Sequence, residues 1–145
     1  MARTTSDIVI DASATKVMNV IADFDAYPLW ATGMKKAEIV VPGDDDRAKE
    51  VHFVLDATPI RDEYVLAYEW DGDKRVSWTL AKSGQMLRSM DGSYVLEADL
   101  SGGTRVTYQL AVDVSVPLLG MLKRKAEKVI IDTALKGLKT YVESA

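Results

Sequence analysis

Two segments of helical character bracket this chain, and nothing but strand signals lies between them. The run from Ile21 to Trp30 (IADFDAYPLW) ends a short helical pattern in an aromatic elbow. The pattern from about Pro117 to Glu143 spells a helix roughly 40 Å long at 1.5 Å per residue. A chain built this way must bury its closing helix against a sheet. A sheet of six or seven strands twists and curls, and one rod cannot fill its concave side. Side chains must fill the remainder, or a hollow is left.

The first strand reads from Thr5 to Ile10, with Ile8 and Ile10 on one face. Asp11 or Ser13 is placed to cap a helix over about Ala14 to Ala22, in which Val17, Val20, Ile21 and Phe24 recur at helical spacing. Pro28 cannot continue that helix and pushes Tyr27 towards an extended conformation. From Met34 the period becomes two. Ala37, Ile39 and Val41 alternate with Lys36, Glu38 and Val40; Val51, Phe53 and Leu55 form the next alternating set, and Tyr64, Leu66, Tyr68 and Trp70 the one after. After the turn Asp71-Gly72-Asp73 come Val76, Trp78 and Leu80; later Tyr94, Leu96 and Ala98; and finally Val106, Tyr108, Leu110, Val112 and Val114. Turn residues stand between the runs: Pro42 to Asp46, Thr58-Pro59, Ser83-Gly84 and Ser101 to Gly103. This is the pattern of an antiparallel meander wet on one face. Pro117 suits the first turn of the closing helix. Ile131, Leu135, Leu138 and Val142 form one stripe of it, and Leu122, Ala126, Val129 and Ile130 prolong the stripe.

Composition removes several function classes. The 145 residues have no linker or repeat and read as one domain over 1–145. Net charge is −4 and the pI about 5.0, so no electrostatic footprint for nucleic acid exists. The absence of cysteine excludes disulfides, thiol catalysis and thiolate metal sites. The N-terminus lacks an apolar signal region, and no apolar run approaches a membrane span, which gives a cytoplasmic expectation. No phosphate-binding loop, metal-ligand spacing or calcium loop is present, so neither metal nor cofactor is expected. The single histidine, His52, falls on the convex, wet phase of its strand, away from any triad.

The inward phase is aromatic: Phe53, Tyr64, Tyr68, Trp70, Trp78, Tyr94 and Tyr108. All but Phe53 carry a polar tip that needs a partner when buried. Apolar walls with a few such groups describe a small-molecule pocket, whereas a filled core would use the same residues as packing. With a regular strand from Arg88 to Leu96, Arg88 and Met90 join the inward set, and Asp62 precedes Tyr64 on the same face. A buried Arg must be paired, which suggests an Arg88–Asp62 pair or an Arg88 contact to a ligand oxygen; the alternative is that both residues lie at strand ends in water. A bulge in that strand would reverse its phase.

The order of strand, helix, elbow, strands and long helix resembles the START-like helix-grip superfamily (SRPBCC), and within it the bacterial polyketide cyclase/dehydrase-like branch. The matching stretches are Ile10 to Val17, Val20 to Trp30, Val76 to Trp78, Gly92 to Tyr94, Gly102 to Val106 and the final helix. The resemblance covers nearly the whole chain. It implies an α+β helix-grip fold: a curved antiparallel sheet of six to seven strands around a long C-terminal helix, with one or two short helices between the first two strands. Its members share a cavity and differ in chemistry.

The expected function is binding of a lipid, isoprenoid, quinone or polyketide-like molecule, as carrier or sensor. The expected lining is Phe53, Tyr64, Tyr68, Trp70, Trp78, Arg88, Met90, Tyr94 and Tyr108, with Leu135 and Leu138 from the helix. An aromatase/cyclase is the alternative. It would use Tyr64, Tyr94 or Arg88 as acid/base or oxyanion groups. A partner-binding module without a ligand, with a filled core, is the second alternative. A monomer or weak dimer is expected. Leu118 and Leu119 beside Lys123, Arg124 and Lys125 could form a peripheral membrane contact near the cavity mouth, or a solvated helix face.

Overall fold

The computed structural model describes residues 3–31, 33–44, 47–57, 60–114 and 120–144, with the backbone alone at 57, 60 and 120–123. Strand β1 (Thr4–Ile10) leads to helix α1 (Ala14–Ala22), a single tight turn at Phe24–Ala26, and the short helix α2 (Tyr27–Trp30). Six strands follow: β2 (Met34–Val41), β3 (Glu50–Ala57), β4 (Ile60–Asp71), β5 (Arg75–Lys82), β6 (Leu87–Ala98) and β7 (Thr104–Val114). Helix α3 (Gly120–Ser144) closes the chain. The strands form one antiparallel sheet in the order β1-β7-β6-β5-β4-β3-β2. The helices lie against one side of it, in the helix-grip arrangement.

Local chemistry explains the helices. Ser13, not Asp11, caps α1: its side-chain oxygen accepts from the Lys16 N–H at 3.2 Å. The Asp11 N–H instead donates to Glu143 at the far end of α3, 2.8 Å away. Pro28 sits in the first turn of α2, where its missing N–H costs nothing, and Tyr27 before it is helical (φ −53°, ψ −43°) rather than extended as expected. The Tyr27 hydroxyl donates back to the Ile21 carbonyl at 2.5 Å and folds the elbow onto α1.

Three details depart from simple alternation. On β2 only Ala37 of its alternating set is buried; Ile39 and Val41 are 43% and 37% exposed because β2 is an edge strand. On α3, Val129 faces outward, while Ala126, Ile131, Leu135, Leu138 and Val142 are buried. On β6 the register against β7 shifts between Leu87 and Ser89. The Asp62 carboxylate causes a related departure nearby. It accepts the N–H groups of Gln85, Met86 and Leu87 at 2.8–3.0 Å, together with that of Glu63, and so pins the loop before β6 to the start of β4.

The core divides into two parts. Between β1, β7 and α3 the packing is solid: Ile10, Val106, Val112, Ile131, Leu138 and Val142 are all fully buried. Glu127 and Thr104, each 2% exposed, are polar exceptions, and the Thr104 hydroxyl donates to the Ala12 carbonyl at 2.7 Å. Pairing of β1 along β7 ends at Leu110, so the Val112 N–H lies beyond the last strand partner. Glu127 accepts that N–H at 2.8 Å and the Thr4 hydroxyl at 2.6 Å. The second part lies beneath β3 to β6 and the elbow.

Candidate functional site

Beneath the elbow the concave face is paved with rings. Phe53 packs on Tyr64 and Tyr68, with centroids 5.8 and 6.4 Å apart. Tyr68 meets Trp78 at 5.7 Å, and Trp78 meets Tyr94 and Tyr108 at 5.4 and 5.7 Å. Tyr27 joins from the elbow, 4.7 Å from Trp30 and 5.9 Å from Phe53. Two glycines allow the close approach. A Cβ on Gly92 would lie 2.5 Å from the Trp78 ring, so this glycine is the seat of the indole. A Cβ on Gly137 would lie 1.8 Å from the Trp30 carbonyl oxygen, so α2 and α3 meet backbone to backbone.

The rings enclose a cavity of about 60 Å³. It is lined by Tyr27, Trp30, Ala31, Met34, Phe53, Leu55, Tyr64, Leu66, Tyr68, Trp78, Met90, Tyr94, Tyr108, Leu110, Ile130 and Ala134. That volume holds a few water molecules. It is far below the roughly 300–1,000 Å³ of a drug-sized ligand pocket, so a larger occupant must displace wall side chains. Met34 and Met90 are the most adaptable of these.

The polar groups of the wall are unusual. The Tyr27 hydroxyl is satisfied by Ile21. The hydroxyls of Tyr64, Tyr68, Tyr94 and Tyr108 and the indole N–H of Trp78 make no hydrogen bond to any described residue. Trp30 Nε1 is buried outright and has no partner. Burial drives all five tyrosine hydroxyls above their ordinary pKa, and mutual proximity adds to it: Tyr108 raises Tyr27, Tyr64, Tyr68 and Tyr94. These groups therefore stay protonated at neutral pH. Among the described residues, no carboxylate, imidazole, ammonium or guanidinium lines the cavity. No cluster of three metal-ligating side chains exists among the described residues.

Seven of the eleven residues expected at the site meet in this cavity: Phe53, Tyr64, Tyr68, Trp78, Met90, Tyr94 and Tyr108. Four lie elsewhere. The β6 bulge turns Arg88 to the exposed face, where it makes no ion pair with Asp62, whose carboxylate is taken by backbone N–H groups. Trp70 sits at the outer end of β4, half-buried, with its N–H on the Ala48 carbonyl at 2.8 Å and Arg47 5.2 Å above its ring. Leu135 and Leu138 are buried in the solid half; the helix faces the cavity with Ile130 and Ala134 instead. Sequence reasoning also missed Tyr27 and Trp30 as lining residues. The elbow's aromatic density was the available signal, but its fold back over the sheet depends on Gly137. Leu118, Leu119 and the Lys123 side chain lie outside the described residues; Arg124 and Lys125 are exposed. No described helix is long and apolar enough to cross a membrane.

The family profile described as "Polyketide cyclase / dehydrase and lipid transport" matches residues 1–143. The chain belongs to this family. Solved structures agree on the fold. A START superfamily protein from Mycobacterium smegmatis superposes with a TM-score of 0.89 at 19% identity, over 98% of this chain and 97% of that one. A protein from Thermus thermophilus gives 0.80 at 20% identity, over 99% and 98%. The Zhui aromatase/cyclase from Streptomyces gives 0.74 at 14% identity, over 98% and 93%. No functionally curated protein matches the sequence.

Proposed function

We propose that this family member binds an apolar small molecule in the cavity between sheet and α3, as a carrier or sensor. One observation carries the reading: an apolar cavity whose wall holds polar groups that the protein itself leaves unsatisfied. Elsewhere in the fold the buried Glu127 and Thr104 are partnered, as is the rule in folded proteins, and the Ser93 hydroxyl is the buried exception. Affinity would come from apolar burial, at about 25 cal/mol per Å². The wall must open to admit an occupant, and that cost subtracts from the gain.

The aromatase/cyclase relatives supply a second reading, in which the cavity folds a polyketide chain and favours one ring closure by position. Tyr64 and Tyr94 line the cavity, so their hydroxyls could donate to a developing oxyanion. Their raised pKa makes them poor bases, and the described lining offers no other proton acceptor that titrates near neutrality. The geometry therefore favours binding over turnover.

Native mass spectrometry of the protein from its own host, followed by extraction, tests the reading. A bound apolar molecule is expected. The Gly92→Ala variant should drive Trp78 into the cavity and weaken retention about tenfold. A protein that carries nothing and takes up no apolar probe would remove the reading.

A further inference from the structure

The two edges of the sheet are finished differently. Along β1 the closing helix serves the strand: Lys139 donates to the Val9 carbonyl at 2.8 Å, Glu127 accepts the Thr4 hydroxyl, and Glu143 accepts the Asp11 N–H just past the strand end. β2 is the opposite edge. Among the described residues no side chain bonds to its backbone. An edge strand left this way presents a row of N–H and C=O groups that another strand can pair with.

We infer that β2 pairs antiparallel with β2 of a second copy of this chain, about a two-fold axis through Ala37. Apolar exposure points to this edge. Among the described residues six large hydrophobic side chains are exposed, and three of them, Ile39, Val40 and Val41, are consecutive here. Charge fixes the partner. Lys36 and Glu38 stand on one face of β2, with Nζ 3.1 Å from the carboxylate and both side chains more than half exposed. Pairing about Ala37 sets Lys36 of each copy opposite Glu38 of the other. One solvated ion pair within a strand thus becomes two across the seam. Opposite charges facing one another across strands stabilise a pairing, and like charges oppose it. Centring the axis on either neighbour would instead set Lys36 against Lys36 or Glu38 against Glu38. The same register brings Ile39 and Val40 of one copy against the Lys35 stem and Met34 of the other.

The irregularities of β2 set the extent of the seam. Its register against β3 shifts between Met34 and Lys36 and again between Ile39 and Val41. Bulges and lysines are common means of blunting an edge. Here the bulges flank the charged segment, so they shorten the seam and leave its centre regular. A two-fold contact is complete at two copies, and the β1 edge is served by α3, so the pairing does not propagate into a fibre. A seam of one eight-residue strand per copy lies at the weak end of interface size, below about 1,200 Å².

Sedimentation velocity of the full chain from about 10 μM to about 1 mM tests the inference. A reversible dimer is expected at the upper end. Lys36→Glu and Glu38→Lys should each weaken dimerisation about tenfold, because each opposes like charges twice. Mixed in equal amounts, the two variants should recover the wild-type strength as a heterodimer, and the double variant carrying both exchanges should recover it alone. Both positions are exposed, so the fold is kept, which circular dichroism checks. In wild type the amide resonances that move with concentration should be those of β2. A chain that stays monomeric at the highest concentration would overturn the inference and leave the edge to a strand of another protein. A dimer indifferent to either charge reversal, or two weakened variants that do not recombine, would overturn it as well.

Discussion

The two halves of the core use the same sheet and the same helix to opposite ends. On the β1–β7 side α3 presents Ile131, Leu138 and Val142, all fully buried, against a solid wall of aliphatic residues. The one buried acid there, Glu127, has two donors. On the β3–β6 side the helix presents Ile130 and Ala134 to a hollow walled by rings whose polar tips, Tyr27 apart, make no hydrogen bond to a described residue. Folded proteins rarely leave buried polar groups unpaired. Most polar tips around the hollow have no protein partner, while the buried carboxyl in the other half has two donors; the buried Ser93 hydroxyl, away from the hollow, is also without one. The contrast can be attacked experimentally.

The largest effect is expected from the solid half. Leu138→Ala should cost about 2–5 kcal/mol, because a close-packed wall collapses poorly around the gap. Urea unfolding measures it, and a loss below about 1 kcal/mol would mean that this half is not solid. Glu127→Ala should cost about 1–3 kcal/mol, since it strands the Val112 N–H beyond the end of β1. A near-neutral result would show that water reaches that N–H.

A matched pair of tyrosines sharpens the contrast. Tyr27→Phe removes the hydrogen bond to the Ile21 carbonyl and should cost about 0.5–1.5 kcal/mol. Tyr108→Phe removes a hydroxyl with no protein partner and should change stability by less than about 0.5 kcal/mol in either direction. Equal stability losses for the two variants would mean that Tyr108 has a partner in solution, and the contrast between halves would lose its basis.

Much of this fold was legible because it follows from period. The bounds of α1 and the phases of β3, β4, β5 and β7 are local properties of the sequence, and the rings of the cavity follow from them. What was not legible depends on distant partners. The β6 bulge that expels Arg88 arises where β6 must register on β7 while Asp62 holds the preceding loop. Nothing near Arg88 in the sequence records that constraint. The helical stripe correctly placed Ile131, Leu135, Leu138 and Val142 inside. A stripe is wide enough to span both halves, however, and only the assembled sheet decides that its Ile130 edge borders the hollow. Trp30 enters the wall because Gly137, more than a hundred residues later, leaves room for it.

The smallest expected effect concerns the carboxylate that shapes the edge of the site. Burial alone would raise the Asp62 pKa, but the N–H groups of Leu87, Gln85, Met86 and Glu63 together hold it below its ordinary value. A folded-state pKa below the unfolded one, about 3.9, means that Asp62 contributes stability above that pH. The contribution is lost as pH falls through the depressed folded value. Asp62→Asn cannot release or bind this proton, so its stability should fall less steeply than wild type below about pH 4. Because Asp62 is partly exposed, solvent screens the effect and the difference in slope is modest. Urea melts of both proteins from about pH 6 down to about pH 2 measure it. Parallel slopes would show that the four N–H groups do not hold the carboxylate in solution. The loop before β6 would then be free to let Arg88 turn inward, and the cavity wall would have to be redrawn with a cation in it.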